Sequence, residues 1–360
     1  MSAPEPAFGL RHFRWDVDKT YIRTEFDNLR DLLSAYRQPA EEKENIPGAP
    51  ALLRALLKAP AESRRVTFIS GSPQQMRETL SRKFELDGIE PDEFILKPNL
   101  SNILKLRLRA VRHQVGYKLE SLLNSRVSQA SEFLFGDDSE QDAWIYSVYA
   151  DMLAHRIGVD ELQELLVESG LYRSEVERIA KTYIDLPEND GKVERVFIHL
   201  DRRSPVSRFL AFGWRIVPVY NYFQAALVLF DMNALSREGF LEVLSVMREK
   251  GYTAARLANS YQDLVRRGYV ETESIFAFEE ELKNAADDED SATGTEFLKA
   301  FRTAIGSLDD RVLQTPARDV RPDYLSLIER ERYRPPTREF RNRDWLGEVR
   351  SPGSRSDSDD

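Results

Sequence analysis

The chain has 360 residues, 41% of them hydrophobic and 31% charged, and a net charge of −10. It is long enough for one large domain or two smaller ones, and the acidic balance excludes a general nucleic-acid binder, which needs a basic surface for phosphates. The same balance disfavours constitutive attachment to anionic lipid, and with no cysteine there can be no disulfide, thiolate zinc site or cysteine nucleophile. The first residues, Met1 to Pro6, lack the basic and apolar regions of a secretory signal, so the expected location is cytoplasmic.

Phe13–Val17, Val66–Ile69, Phe94–Leu96 and Phe133–Phe135 are short apolar runs that end in Asp, Ser-Gly, Lys-Pro and Gly-Asp, and they predict strands. Between them Glu25–Tyr36, Ala49–Leu57, Pro73–Phe84, Leu104–Val111 and Lys118–Asn124 have helical spacing. Strand and helix in alternation predict an α/β fold, a central parallel sheet with helices on both faces. Val196–Leu200 reads as a further strand of that sheet. The stretch between, Asp142–His155, Asp160–Ser169 and Arg173–Tyr183, reads as helical, with Gly158 and Gly170 as breaks.

Phe209 to Phe230 is nearly long enough to span a bilayer, but Arg215, Pro218, Asn221 and Gln224 interrupt it. The expected structure there is a buried strand near Arg215–Tyr220 followed by an apolar helix. Beyond Asp231, Arg237–Lys250, Thr253–Arg267, Glu271–Lys283 and Thr295–Leu308 have helical patterns, with an acidic linker at Ala285–Gly294. From about Thr315 onward Arg, Pro and Asp dominate. The expected division is an α/β domain over 1–235 with a helical insertion at about 156–190, a helical extension over 236–312, and a largely disordered charged tail over 313–360.

Four motifs carry chemistry. Asp16-Val-Asp-Lys-Thr20 places Asp16 and Asp18 two residues apart where the first apolar run ends. Carboxylates there lie on one face of a continuing strand or at the ligand-binding edge of the sheet. One could attack a phosphorus atom while the other moves a proton. In Ser70-Gly-Ser-Pro73 a strand ends and Pro73 is expected to open a helix, so hydroxyls and free amides there make an anion cradle. Lys118 is expected in the first turn of a helix, where it opposes the helix dipole unless an anion lies near. In Gly136-Asp-Asp-Ser-Glu-Gln-Asp142, the acids Asp137, Asp138, Glu140 and Asp142 fall within six residues. Such crowding calls for a cation, and hard oxygen donors point to Mg²⁺.

With these residues in this order, the chain resembles phosphatases of the haloacid dehalogenase superfamily. More narrowly, Pro47-Gly48 with LLRALL, then FISGSP, YKLESLL and FGDDSEQDAWIY resemble the catalytic domain of actin-patch-type phosphatidate phosphatases, over about residues 12–150. The resemblance implies a Rossmann-like fold with a minimal cap and a Mg²⁺-dependent phosphomonoester hydrolase working through an aspartyl-phosphate. It implies Asp16 as nucleophile, Asp18 as general acid and base, and Thr20, Ser70, Gly71 and Lys118 around the phosphate. It implies Asp16, the Asp18 carbonyl, one of Asp137 and Asp138, and Asp142 about the metal. The intervals from Thr20 to Val66 and from Ser70 to Lys118 are too short for a full cap domain. An open site suits a large substrate, either phosphatidate met at a membrane surface or a phosphoprotein. The competing expectation is a non-catalytic interaction protein on the same fold.

Overall fold

The computed structural model describes residues 9–24, 38–98, 110–188, 191–270, 299–300, 303, 315–318 and 320–332. The expected helices Glu25–Tyr36 and Glu271–Lys283, the linker at Ala285–Gly294, and most of Leu104–Val111 and of Thr295–Leu308 lie outside the described residues.

Six strands form one all-parallel sheet: β1 (Arg11–Trp15), β2 (Arg64–Pro73), β3 (Glu93–Lys97), β4 (Ala130–Asp137), β5 (Gly191–His199) and β6 (Ile216–Val219), in the spatial order β3-β2-β1-β4-β5-β6. The α/β class expected from the sequence is therefore borne out. The chain builds outward from β1 to β3, then crosses back to β4 and builds outward to β6. The order reverses between β1 and β4, and open parallel sheets bind ligands beyond the carboxyl ends of the strands at such a reversal. Asp16 follows the last residue of β1, and Asp137 is the last residue of β4.

Side chains alternate across the sheet, giving two buried layers of different character. On one face Phe13, Trp15, Phe68, Phe133, Phe135 and Phe197 form an aromatic floor, with Trp15 and Phe135 stacked at 3.9 Å between centroids and Phe135 and Phe197 at 4.9 Å. It is covered by α1 (Ala49–Leu57) and α2 (Arg77–Leu86), and by α7 (Tyr222–Asp231), α8 (Arg237–Glu249) and α9 (Ala254–Arg266). On the other face Ile69, Leu134, Val196 and Ile198 meet α3 (Ala110–Asn124), α4 (Asp142–Leu153), α5 (Val159–Glu168) and α6 (Arg173–Ile184). That layer also buries charge: Arg14, Glu132 and Tyr149 lie inside it.

Three sequence expectations change here. Pro73 still belongs to β2; a 3-10 turn follows at Gln74–Met76 and α2 starts at Arg77, so Ser72 is strand-end rather than helix cap. The boundary expected at 235 falls between helices that share one core, since Phe240, Val243 and Met247 of α8 and Leu257 and Tyr261 of α9 pack with Phe223 and Val228 of α7. Within the stretch expected as a disordered tail, α10 (Tyr324–Arg332) packs against α4. Tyr324 accepts a hydrogen bond on its carbonyl from Trp144 Nε1 at 3.0 Å and donates its hydroxyl to Asp151 at 2.6 Å. Tyr324, Leu327 and Ile328, spaced i, i+3, i+4, supply its apolar stripe within a charged sequence.

The apolar segment Phe209–Phe230 is buried protein: a 3-10 turn (Val206–Phe212), β6 and then α7, whose cap Asn221 accepts from the Gln224 amide. Among the described residues no helix is long and apolar enough to cross a membrane.

Candidate active site

The loop after β1 is held to β4 at once, because the Asp16 amide donates to the Phe135 carbonyl at 2.9 Å. The Asp16 carboxylate accepts from the Val17 amide on Oδ1 at 2.7 Å and from Lys118 Nζ on Oδ2 at 2.9 Å. Tight backbone bonds from Tyr21 and Ile22 to the Val17 carbonyl close the loop, and Lys19 is left-handed at φ 57°. Asp18 accepts from the Ser72 hydroxyl at 2.8 Å, which ties this loop to the end of β2. There the Ser70 hydroxyl accepts from the Ser72 amide at 3.0 Å. Gly71 lets α3 come close: a Cβ would stand 3.3 Å from Gln114 Nε2.

Lys118 lies well inside α3 rather than in its first turn, so the dipole argument does not apply to it. A different force holds it. Its ammonium, fully buried, meets Asp16, Glu140 at 2.8 Å and Asp142. Gln114, one turn earlier on α3, donates to the same Glu140 oxygen. Gly136 is required for this packing, because a Cβ there would stand 2.3 Å from Asp142 Oδ2.

Asp16, Asp137, Glu140 and Asp142 each offer a carboxylate oxygen, all within 4.8 Å of one another. Four carboxylates thus face one ammonium in a buried space. Burial, with repulsion from Glu140, Asp137 and Asp18 added and Lys118 opposing, pushes Asp16 up to about 8. Burial likewise pushes Asp142 up to about 7 and Asp137 well above the ordinary carboxylate range. For Lys118 burial would lower the pKa, but Asp142, Asp16 and Glu140 together raise it well above its usual value. Asp137 accepts from the Ser139 amide on Oδ1 at 2.5 Å, while its Oδ2 is buried with no hydrogen-bond partner. An orphaned carboxylate oxygen among hard donors that lack positive charge fits a divalent cation of the Mg²⁺ kind.

Of the residues expected from sequence, Asp16, Lys118, Asp137 and Asp142 converge directly, and Asp18, Ser70 and Gly71 border them through Ser72 and Gln114. Asp138 stands apart from the four clustered acids. Its two oxygens accept from the Arg202 amide at 2.8 Å and the Ser204 amide at 2.9 Å, so it shapes the turn after β5. Thr20 is buried with a partnerless hydroxyl, and its carbonyl is held by Tyr222. It sits in the loop without joining the acids. Glu140 was visible in the acidic run but had no assigned role; Ser72 and Gln114 act through neighbours far away in sequence.

One comparison with known proteins bears on this site. Residues 15–159 match the family described as phosphatidate phosphatase APP1, catalytic domain. The match covers less than half of the chain, yet it contains Asp16, Asp18, Ser70, Lys118, Asp137, Glu140 and Asp142. The resemblance expected from the sequence is borne out. No curated protein matches the chain, and no solved structure does.

Proposed function

We propose that this protein is a Mg²⁺-dependent phosphomonoester hydrolase of the haloacid dehalogenase type, acting on phosphatidate at a membrane surface. The observation that carries the reading is the family match over the one segment that contains the buried acids and their lysine. Trp144, Phe209 and Phe212 are buried beside Asp137 and Glu140, with Arg208 next to them.

Asp16 attacks the phosphorus, forming a carboxyl O–P bond as the ester P–O bond breaks. Asp18, raised above its ordinary value by burial with the Ser72 hydrogen bond opposing, gives its proton to the departing alkoxide. It then takes a proton from the water that releases phosphate and restores Asp16. Lys118, Ser70 and the Gly71 amide hold the phosphoryl oxygens. Mg²⁺ held by Asp16, Asp137 and the Asp18 carbonyl, with Asp142 and Glu140 in support, would supply the charge neutralisation that lets a carboxylate approach a phosphate dianion.

The test is phosphate release, with and without Mg²⁺, from phosphatidate vesicles, a phosphoprotein and small soluble phosphates. Mg²⁺-dependent release from the vesicles is expected. Activity confined to soluble esters removes the lipid assignment, and activity confined to the phosphoprotein moves the substrate to that class.

A further inference from the structure

β5 and α7 lie outside the matched segment, yet between them they grip the loop that carries Asp18 at two points. His199, the last residue of β5, contacts the Lys19 carbonyl through Nδ1 at 2.9 Å. A carbonyl can only accept, so His199 donates and carries its proton on Nδ1. Tyr222, the first residue of α7, donates its hydroxyl to the Thr20 carbonyl at 2.6 Å. The two carbonyls are consecutive and follow Asp18 directly.

The gripping side chains are themselves fixed. The rings of His199 and Tyr222 stack 5.8 Å apart with 15° between their planes, and Tyr222 stacks on Trp15, the residue before Asp16, at 5.2 Å. His199 is the register partner of Asp137 across β4 and β5. Lys19 holds a left-handed φ of 57°, a conformation a residue with a side chain keeps only where its surroundings over-determine it. A loop closed only by its own backbone bonds would leave these two carbonyls free to turn, and with them the direction of Asp18.

We propose that His199 and Tyr222 are positioning residues that fix the Lys19–Thr20 backbone and so aim the Asp18 carboxyl at the leaving-group oxygen, working opposite Ser72, which holds the carboxyl itself. The role assigned to Asp18 rests on the function proposed above; the clamp on the loop does not.

Full-length Tyr222→Phe, His199→Ala and His199→Asn separate the two. The quantity to compare is kcat/KM for p-nitrophenyl phosphate, whose leaving group departs without a proton, and for an alkyl phosphate, whose leaving group needs one. This constant covers the steps up to phosphoryl transfer to the enzyme, so later use of Asp18 as a base does not enter. Tyr222→Phe and His199→Ala should lower the alkyl value about tenfold and the aryl value by less than about twofold, since a misaimed acid penalises only the ester that needs it. His199→Asn, which keeps a donor near the Lys19 carbonyl, should recover most of the loss. Equal losses on both esters, or none on either, overturn the positioning role. Amide hydrogen exchange over residues 16–22 supplies a readout that needs no turnover: the two disruptive variants should exchange faster there than the natural protein, and unchanged exchange overturns the clamp. A natural protein that hydrolyses neither ester while the variants still exchange faster refutes the phosphatase reading and leaves the clamp standing.

Discussion

Two buried charge clusters lie between the same four elements, β1, β4, α3 and α4, and they are built to opposite rules. In the first, Arg14 of β1 donates through Nη1 to Glu132 of β4 at 2.9 Å and to Tyr149 of α4 at 2.8 Å. Through Nη2 it reaches the Leu122 carbonyl of α3 at 2.8 Å and Ser125. One cation meets one anion, and neutral oxygens take up further donors. In the second, at the carboxyl ends of the strands, Lys118 of α3 faces Asp16, Glu140 and Asp142 with Asp137 close by. The first pairs one cation with one anion, and the second crowds four carboxyl groups around one ammonium. Structural stability alone favours the paired arrangement, and the crowding in the second is what the proposed cation would relieve.

The comparison can be broken at several points. The largest effect should come from Asp16→Asn, which should reduce hydrolysis on the order of 10⁴-fold while leaving the thermal midpoint unchanged or higher, because it removes a nucleophile and also relieves repulsion. Steady-state kinetics beside a melting curve test both halves, and persistent hydrolysis would refute the nucleophile assignment. Arg14→Met should do the reverse: about 3–5 kcal/mol of stability lost in urea unfolding as Glu132 is left buried and unpaired, with activity per folded molecule retained. Pairing it with Glu132→Leu should recover most of that loss.

A smaller effect tests the crowding itself. Mg²⁺ at about a hundred times its dissociation constant should stabilise the natural protein by roughly 2.7 kcal/mol, and Asp137→Asn should abolish the increment. A melting series in Mg²⁺ in which both proteins respond alike would count against Asp137 as a ligand. The smallest effect concerns a third way of burying a titratable group, which is to keep it neutral. His12 on β1 pairs with Thr67 at 2.8 Å, and burial, reinforced by Arg14 and Arg65, lowers it from 6.5 to about 2. The folded state refuses a proton that the unfolded chain accepts, so stability is full above pH 6.5 and falls as the pH drops below it. The loss should be about 1 kcal/mol between pH 6.5 and 5.5, and His12→Gln should abolish it in urea titrations at the two pH values.

The strands were legible because each is a short apolar run stopped by Asp, Gly or Pro, and their carboxyl ends placed Asp16, Ser70 and Asp137 together. Local pattern could not choose between Asp137 and Asp138, which are adjacent and chemically alike. The Arg202 and Ser204 amides, more than sixty residues away, occupy the Asp138 oxygens and set the two apart. Lys118 lies beyond the first turn of the described part of α3, and Asp16, Glu140 and Asp142 give the lysine its place rather than a helix end. Tyr324, Leu327 and Ile328 were masked by the charges around them, since a helix needs only a narrow apolar stripe to dock.

The strand order has a practical consequence for anyone cutting the chain to its recognisable part. A fragment ending at 159 would keep β4 but strip away β5 and β6, which pair with it and with each other. Eight residues of β4 would then present unpaired amides and carbonyls along a strand whose Phe133, Leu134 and Phe135 had lost neighbours on the side of β5. Such an exposed edge recruits other strands, so the excised segment should aggregate rather than work as a minimal enzyme.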